Sequence, residues 1–335
     1  MSGSDDEVVL RGVGLAKHFT VRRKGFGRAD TLVAVADTDI ELRRGETLGI
    51  VGESGCGKST LSRMLIGDAE PTEGHIELLG ERFDEMGRGR LKEVRREIQM
   101  VHQDPYKSLD PRMTIEQIVR EPLDIHAQQH PRAGRASRVA ELLELVGLNP
   151  DQAQRRPGQL SGGQRQRVDI ARALALDPGI LVCDEAVSAL DVSVQAQIIN
   201  LLADLKAELG LAMIFVSHDL SVVQHVADRV AVMYLGRIVE QGPWDEVYDR
   251  TLHPYTTALL AAAPSPDRSR RNQERVAIVG EPPSPLDPPP GCAFNTRCDC
   301  ADDRCIAERP SLGAGSTSAH LAACHHPLHA AASPA

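Results

Sequence analysis

The stretch Gly52-Glu53-Ser54-Gly55-Cys56-Gly57-Lys58-Ser59-Thr60 constrains this chain more than any other. It is a complete G-x-x-x-x-G-K-[ST] pattern. An apolar run, Thr47-Leu48-Gly49-Ile50-Val51, precedes it, and a helical-looking segment, Leu61 to Ile66, follows. A strand, a glycine loop and a helix in that order let backbone N–H groups curl around a polyphosphate. The helix, read as beginning at Lys58, aims the positive end of its dipole at the same point. In such a loop Lys58 reaches the β- and γ-phosphates and the Ser59 hydroxyl ligates Mg²⁺. The expectation is an α/β protein that binds a nucleotide.

At 335 residues the chain is long enough for one large domain or two smaller ones. Its 41% hydrophobic and 25% charged residues are ordinary for a globular protein, and 3% aromatics leave the core to Val, Leu, Ile and Ala. A net charge of −9 argues against non-specific nucleic-acid binding, which needs a basic surface. No run approaches the ~20 apolar residues of a membrane span, and the acidic start, Met1 to Glu7, is no signal peptide. A soluble intracellular protein is expected, with membrane contact only through a partner.

Val8 to Phe19 reads as a strand, Val21 to Arg28 as a basic loop, and Leu32 to Leu42 as a second strand pair. Glu97 to His102 is a strand that ends at Gln103-Asp104-Pro105. From Pro105 to about Gln154 the apolar spacing is helical, in Ile115 to Ala127 and Ala136 to Val146, which predicts a helical insert in an α/β core. Strands Ile180 to Asp184 and Leu211 to Ser217 are continuous apolar runs, as expected of strands buried on both faces, and Val192 to Leu209 lies between them as a helix. Arg229 to Tyr234 and Arg237 to Gln241 form a hairpin closed at Leu235-Gly236. This alternation implies a mainly parallel sheet with helices on its faces.

Leu181-Val182-Cys183-Asp184-Glu185 delivers two acids at the carboxyl end of a strand, where ligands bind in open α/β sheets. Asp184 there holds Mg²⁺ through water, and Glu185 polarises the attacking water. Two solvated turn carboxylates would read the same way. The decisive stretch is Leu160-Ser161-Gly162-Gly163-Gln164, which opens a helix read as Gln164 to Leu176. Its N-terminus is a second anion site in one chain. The economical explanation is that Ser161 and its neighbouring N–H groups serve a nucleotide held by another subunit.

LSGGQ is the signature of the ATP-binding-cassette (ABC) family, which this chain resembles from about Val8 to Gln241, with the motifs in family order. Gly52–Thr60 matches the phosphate loop, and Gln103 the glutamine that touches Mg²⁺ and the transporter interface. Leu160–Gln164 matches the signature, and Asp184 with Glu185 the acidic pair. Ser188-Ala189-Leu190-Asp191 matches the D-loop, and His218 the switch histidine at the γ-phosphate. Phe19 stands where the family stacks an aromatic on adenine. Two departures are Ala186, where the family has Pro after the catalytic Glu, and Asp169, expected to tune packing against a partner. The resemblance implies a P-loop NTPase (ABC ATPase) core with an antiparallel β subdomain and a helical subdomain over about 105–175. It also implies ATP and Mg²⁺ sandwiched head-to-tail between two nucleotide-binding domains, with Glu185, His218 and Gln103 catalytic.

Within the family, Gln103-Asp104-Pro105 through Ser108-Leu109-Asp110-Pro111-Arg112-Met113, His253-Pro254-Tyr255-Thr256, and the tail from Gly291 to Cys324 resemble the ATPase subunits of oligopeptide/dipeptide (and nickel) importers. That implies a nucleotide-binding domain over 1–250 and a Cys-rich C-terminal extension over 251–335, entered through the proline-rich stretch Pro282 to Pro290. Implied partners are two transmembrane permease subunits, a second ATPase subunit (a copy or a paralogue) and, indirectly, a substrate-binding protein. The implied location is the cytoplasmic face of the cell membrane, with no nucleic acid bound. The other reading is a soluble cassette ATPase acting on ribosomes, DNA or cluster assembly.

Cys292, Cys298, Cys305 and Cys324, separated by five, six and eighteen residues, suit a [4Fe–4S] cluster or tetrahedral zinc. Free thiols in a loop are the alternative, since the spacing is neither a ferredoxin nor a finger pattern. Family resemblance favours iron–sulfur. Cys300 is unmatched, and His325, His326 and His329 are expected to add only a solvated tail.

Overall fold

A computed structural model describes residues 7–21, 29–128, 131–262, 280–313 and 319–328. The chain begins with β1 (Val8–Val21), β2 (Asp30–Arg43), β3 (Thr47–Val51), α1 (Lys58–Leu65), β4 (Glu73–Leu78) and β5 (Glu81–Arg82). There follow α2 (Arg88–Val94), β6 (Ile98–Val101), α3 (Pro105–Ser108), α4 (Ile115–Ile125), α5 (Arg135–Leu145) and α6 (Gly162–Ala173). Next come β7 (Ile180–Asp184), α7 (Val192–Leu209), β8 (Ala212–Ser217), α8 (Leu220–Val223), β9 (Arg229–Tyr234) and β10 (Arg237–Pro243). The chain closes with α9 (Trp244–Asp249), α10 (Pro254–Ala262), α11 (Asp303–Ala307) and β11 (Leu321–Ala322).

The described residues fall into two compact units. One comprises Glu7, Arg43–Gly45 and Glu85–Val216; the other lies within Val8–Leu42, Glu46–Asp84 and Ser217–Ala335. In the first unit β6, β7 and β8 pair in parallel, with Met100 opposite Val182 and Cys183 opposite Phe215. Every residue of β7 and β8 is buried, as their unbroken apolar runs require. The segment from Pro105 to Leu176 holds helices and no strand among its described residues. On α4 the buried residues Ile115, Ile118, Val119 and Leu123 repeat at helical spacing, and Thr114 caps it in a box with Gln117.

In the second unit β2, β1, β4 and β5 form one sheet in that order, with β1–β4 and β4–β5 pairing antiparallel. β3 pairs in parallel with β9, which continues antiparallel into β10 and β11. The hairpin closes at Leu235 (φ 43) and Gly236 (φ 80), the two positive φ values that a tight two-residue hairpin turn demands.

Three expectations change. Leu32 to Leu42 belongs to one long strand, β2, not a pair: Asp37 adopts φ 46 without breaking it. The signature helix starts at Gly162, two residues early, because Ser161 caps it, and it tightens to a 3₁₀ turn at Leu174–Leu176. β4, β5 and β11 are strands that residue order does not mark, each short or polar on one face. The basic loop at residues 22–28, the acidic start at residues 1–6 and His329 lie outside the described residues. Among the described residues no helix is long and apolar enough to cross a membrane.

Candidate functional site

The phosphate loop is held in shape by contacts that only glycine permits. At Gly52 (φ 156) a Cβ would sit 2.1 Å from the Met233 carbonyl oxygen, and at Gly57 (φ 110) 2.1 Å from that of Ala34. Neither backbone oxygen can yield, so side chains are excluded at both positions. Lys58, 4% exposed, opens α1 and turns its Nζ back to the carbonyl oxygens of Gly52 (2.8 Å) and Glu53 (3.0 Å). Cys56 is buried beneath the loop, its thiol pKa pushed up by desolvation, and its carbonyl accepts from the Gly236 N–H at 2.8 Å. Ser54 and Gly55 are exposed, and Ser59 and Thr60 are half-buried on the first turn of α1.

In the first unit β7 ends at Asp184, which is 6% exposed. Glu185 follows in the left-handed region at φ 47, costly for a residue with a Cβ. The strain is held on both sides. Its N–H donates to the Val216 carbonyl (3.0 Å), and its own carbonyl accepts from the Ser188 N–H (3.1 Å) and hydroxyl (2.9 Å). The side chain thereby meets Gln103, whose Nε2 donates to Glu185 Oε2 at 2.6 Å. Of the sequence-predicted catalytic residues, these two are brought into direct contact. Ala186, where proline was expected, is buried, and Asp191 is exposed at the N-cap of α7.

Ser161 and Gln164 satisfy each other. The Ser161 hydroxyl accepts from the Gln164 N–H (3.3 Å), and Gln164 Oε1 accepts from the Ser161 N–H (3.0 Å). This capping box is legible in the sequence as S-x-x-Q. Gly163 lets α6 approach α7, since a Cβ there would sit 2.4 Å from Val194 Cγ1. Asp169 is not a partner-facing residue but fully buried. It accepts from the His102 N–H (2.8 Å), the Ser108 hydroxyl (3.2 Å) and Arg172, tying α6 to the segment that carries Gln103.

In the second unit His218 is exposed just after β8. Phe19 is 41% exposed on β1, with Lys17 Nζ over its ring, 5.5 Å from the centroid.

Cys292, Cys298, Cys305 and Cys324 line one pocket with Cys300, His253, Phe294, His325 and His326. None of the seven cysteines is in a disulfide. Desolvation raises the four thiols, Cys298 to about 11 and Cys324 to about 12. His326 is exposed, its Nε2 lies 2.9 Å from Asp302 Oδ2, and Asp302, Cys305 and His326 present ligand atoms within 4.8 Å of one another. His325 meets the Glu308 carbonyl at 3.0 Å. Burial pushes His253 down to about 4, so its ring is neutral, and its Nδ1 accepts the Tyr255 N–H at 3.1 Å. The proton therefore sits on Nε2, which is buried without a hydrogen-bond partner among the described residues. His320, fully enclosed, faces Glu240 at 2.7 Å, and Glu240 also accepts from the N–H groups of Leu252 (2.7 Å) and His253 (3.0 Å).

Two family descriptions match: ABC transporter over residues 35–188, and oligopeptide/dipeptide transporter, C-terminal region, over residues 239–305. The chain is 48% identical over 310 residues to the oligopeptide transport ATP-binding protein OppF of Escherichia coli (strain K12), covering 91% of this chain and 93% of that protein. It is 47% identical over 328 residues to the oligopeptide transport ATP-binding protein AppF of Bacillus subtilis (strain 168), covering 97% and 99%. Among solved structures it resembles the dimeric, post-hydrolysis ATP-binding cassette MJ0796 bound to ADP and Pi. The TM-score is 0.61 and the identity 29%, over 70% of this chain and 98% of that one.

Proposed function

The chain belongs to the ABC transporter ATPases that carry the oligopeptide/dipeptide C-terminal region, and on that premise we propose that it powers the import of peptides. The observation that carries this reading is that C-terminal region at residues 239–305, which follows a complete cassette in the same chain. Relatives at 47–48% identity are oligopeptide transport ATP-binding proteins.

In this reading Lys58 and the loop N–H groups bind the β- and γ-phosphates, and Phe19 stacks on adenine. Ser59, Gln103 and Asp184 hold Mg²⁺, Glu185 orients and polarises the attacking water, and His218 contacts the γ-phosphate. Ser161, Gly162, Gly163, Gln164 and Asp191 complete the site of a second ATPase subunit, a copy or a paralogue. ATP then joins the two subunits and its hydrolysis releases them, a nucleotide-driven order change. The pair docks on two permease subunits at the cytoplasmic face of the membrane, supplied by a substrate-binding protein on the other side.

The cysteine pocket suits an iron–sulfur cluster held by Cys292, Cys298, Cys305 and Cys324. Its fit rests on the four thiols and the orphaned Nε2–H of His253 lining one pocket, a donor that cluster sulfides or metal-bound thiolates accept. The cluster would supply a covalent tie among four separate segments of the extension.

The test is to co-express the chain with its membrane and binding-protein partners in proteoliposomes. ATP-dependent peptide uptake, abolished by Lys58→Ala, is expected. Co-purification with ribosomes or DNA instead of membrane subunits would overturn the reading. Iron and acid-labile sulfide in anaerobically purified protein are expected; zinc alone would refute the cluster.

A further inference from the structure

Every polar group of Glu53, inside the phosphate loop, has a partner within the second unit. Its N–H donates to the Tyr255 hydroxyl (2.9 Å), and its carbonyl accepts from Lys58 Nζ (3.0 Å). Its carboxylate receives Arg297 in a two-pronged ion pair, Nη1 to Oε2 and Nη2 to Oε1, both 3.0 Å. Arg297 has a side chain only 5% exposed and also reaches the Tyr234 hydroxyl at 3.3 Å. Tyr234, Tyr255 and Phe294 pack ring on ring beneath it, at centroid distances of 4.6 to 5.4 Å.

Two consequences follow from elementary electrostatics. A carboxylate in a loop that receives a triphosphate repels it, and a fixed guanidinium cancels that charge where it arises. The Tyr255 hydroxyl takes the Glu53 N–H, so this peptide plane is set before any phosphate arrives, and a preset loop loses less entropy on binding.

We propose that Arg297 and Tyr255 are positioning residues for nucleotide binding, so that the C-terminal extension is a working part of the phosphate loop rather than an appendage. This rests on Gly52–Thr60 binding ATP. Loss of binding in Lys58→Ala tests that premise separately.

The experiment titrates the full chain with a fluorescent ATP analogue and follows steady-state hydrolysis in the assembled transporter. Arg297→Gln is expected to weaken nucleotide affinity about tenfold, the scale of a charge-assisted pair, and to raise KM with kcat within about threefold. Adding Glu53→Gln to Arg297→Gln is expected to bring affinity back to within about twofold of wild type, because both charges are then gone. Arg297→Lys restores part of the loss, and Tyr255→Phe weakens binding about threefold. A purely structural role for Arg297 would instead lower the melting temperature of Arg297→Gln together with its affinity. Wild-type affinity in Arg297→Gln, or a loss that Glu53→Gln leaves untouched in a chain of wild-type melting temperature, overturns the proposal.

Discussion

Gln103 and Glu185, 82 positions apart in sequence, share a 2.6 Å hydrogen bond from amide nitrogen to carboxylate oxygen. In the proposed function this amide orients the carboxylate assigned to polarise water. Glu185→Gln is therefore expected to lower kcat at least about a hundredfold with ATP affinity retained, the range of a lost general base. Gln103→Ala, which leaves the carboxylate unguided, should lower it about tenfold. Phosphate release at saturating ATP measures both. A Gln103→Ala enzyme turning over at the wild-type rate would contradict the orienting role.

Asp169 is a buried carboxylate whose three donors come from two segments. Asp169→Ala strands the His102 N–H and leaves the Arg172 guanidinium, 16% exposed, without its carboxylate. The expected cost is about 3 kcal/mol of unfolding free energy. Asp169→Asn, which keeps acceptors, should lose less. Urea denaturation decides; equal stability of the alanine variant and wild type would be incompatible with the contacts described.

His253 makes stability fall in acid. Burial holds its folded-state value down at about 4, with Glu240 opposing the shift, against an ordinary value of about 6.5. The unfolded chain binds the proton first. Stabilisation is thus complete above about pH 6.5 and drains away as pH falls toward 4, by up to about 3 kcal/mol. His253→Asn removes the titration and should flatten this part of the urea-midpoint curve. Parallel curves for variant and wild type would refute the assignment.

Metal loading of the cysteine pocket must release protons. Burial raises Cys298 to about 11 and Cys324 to about 12, and Cys292 and Cys305 also upward, so neutral solution finds them as thiols. Reconstitution at neutral pH should acidify weak buffer, and affinity should climb steeply with pH. Chelation should lower the melting temperature. Loading without proton release would mean the ligands lie elsewhere.

Much of this protein can be read from residue order alone. The phosphate loop between an apolar strand and a helix, the buried runs of β7 and β8, the helix Val192–Leu209 and the Leu235-Gly236 hairpin are local matters. They rest on periodicity, backbone freedom and turn chemistry, which act over a few neighbours. The reach of Arg297 to Glu53, 244 positions back, has no local trace, and neither does the burial of Asp169 or the enclosure of Glu240 with His320. A lone arginine, an aspartate expected to meet a partner and a histidine in a tail carry in residue order no sign of the groups they pair with. Only chain folding that removes water from them makes their pairing obligatory, because a buried charge or amide without a partner costs more than the fold can spare. The motifs were thus legible in residue order, while the support of the phosphate loop was decided by which distant segments came to share the same dry interior.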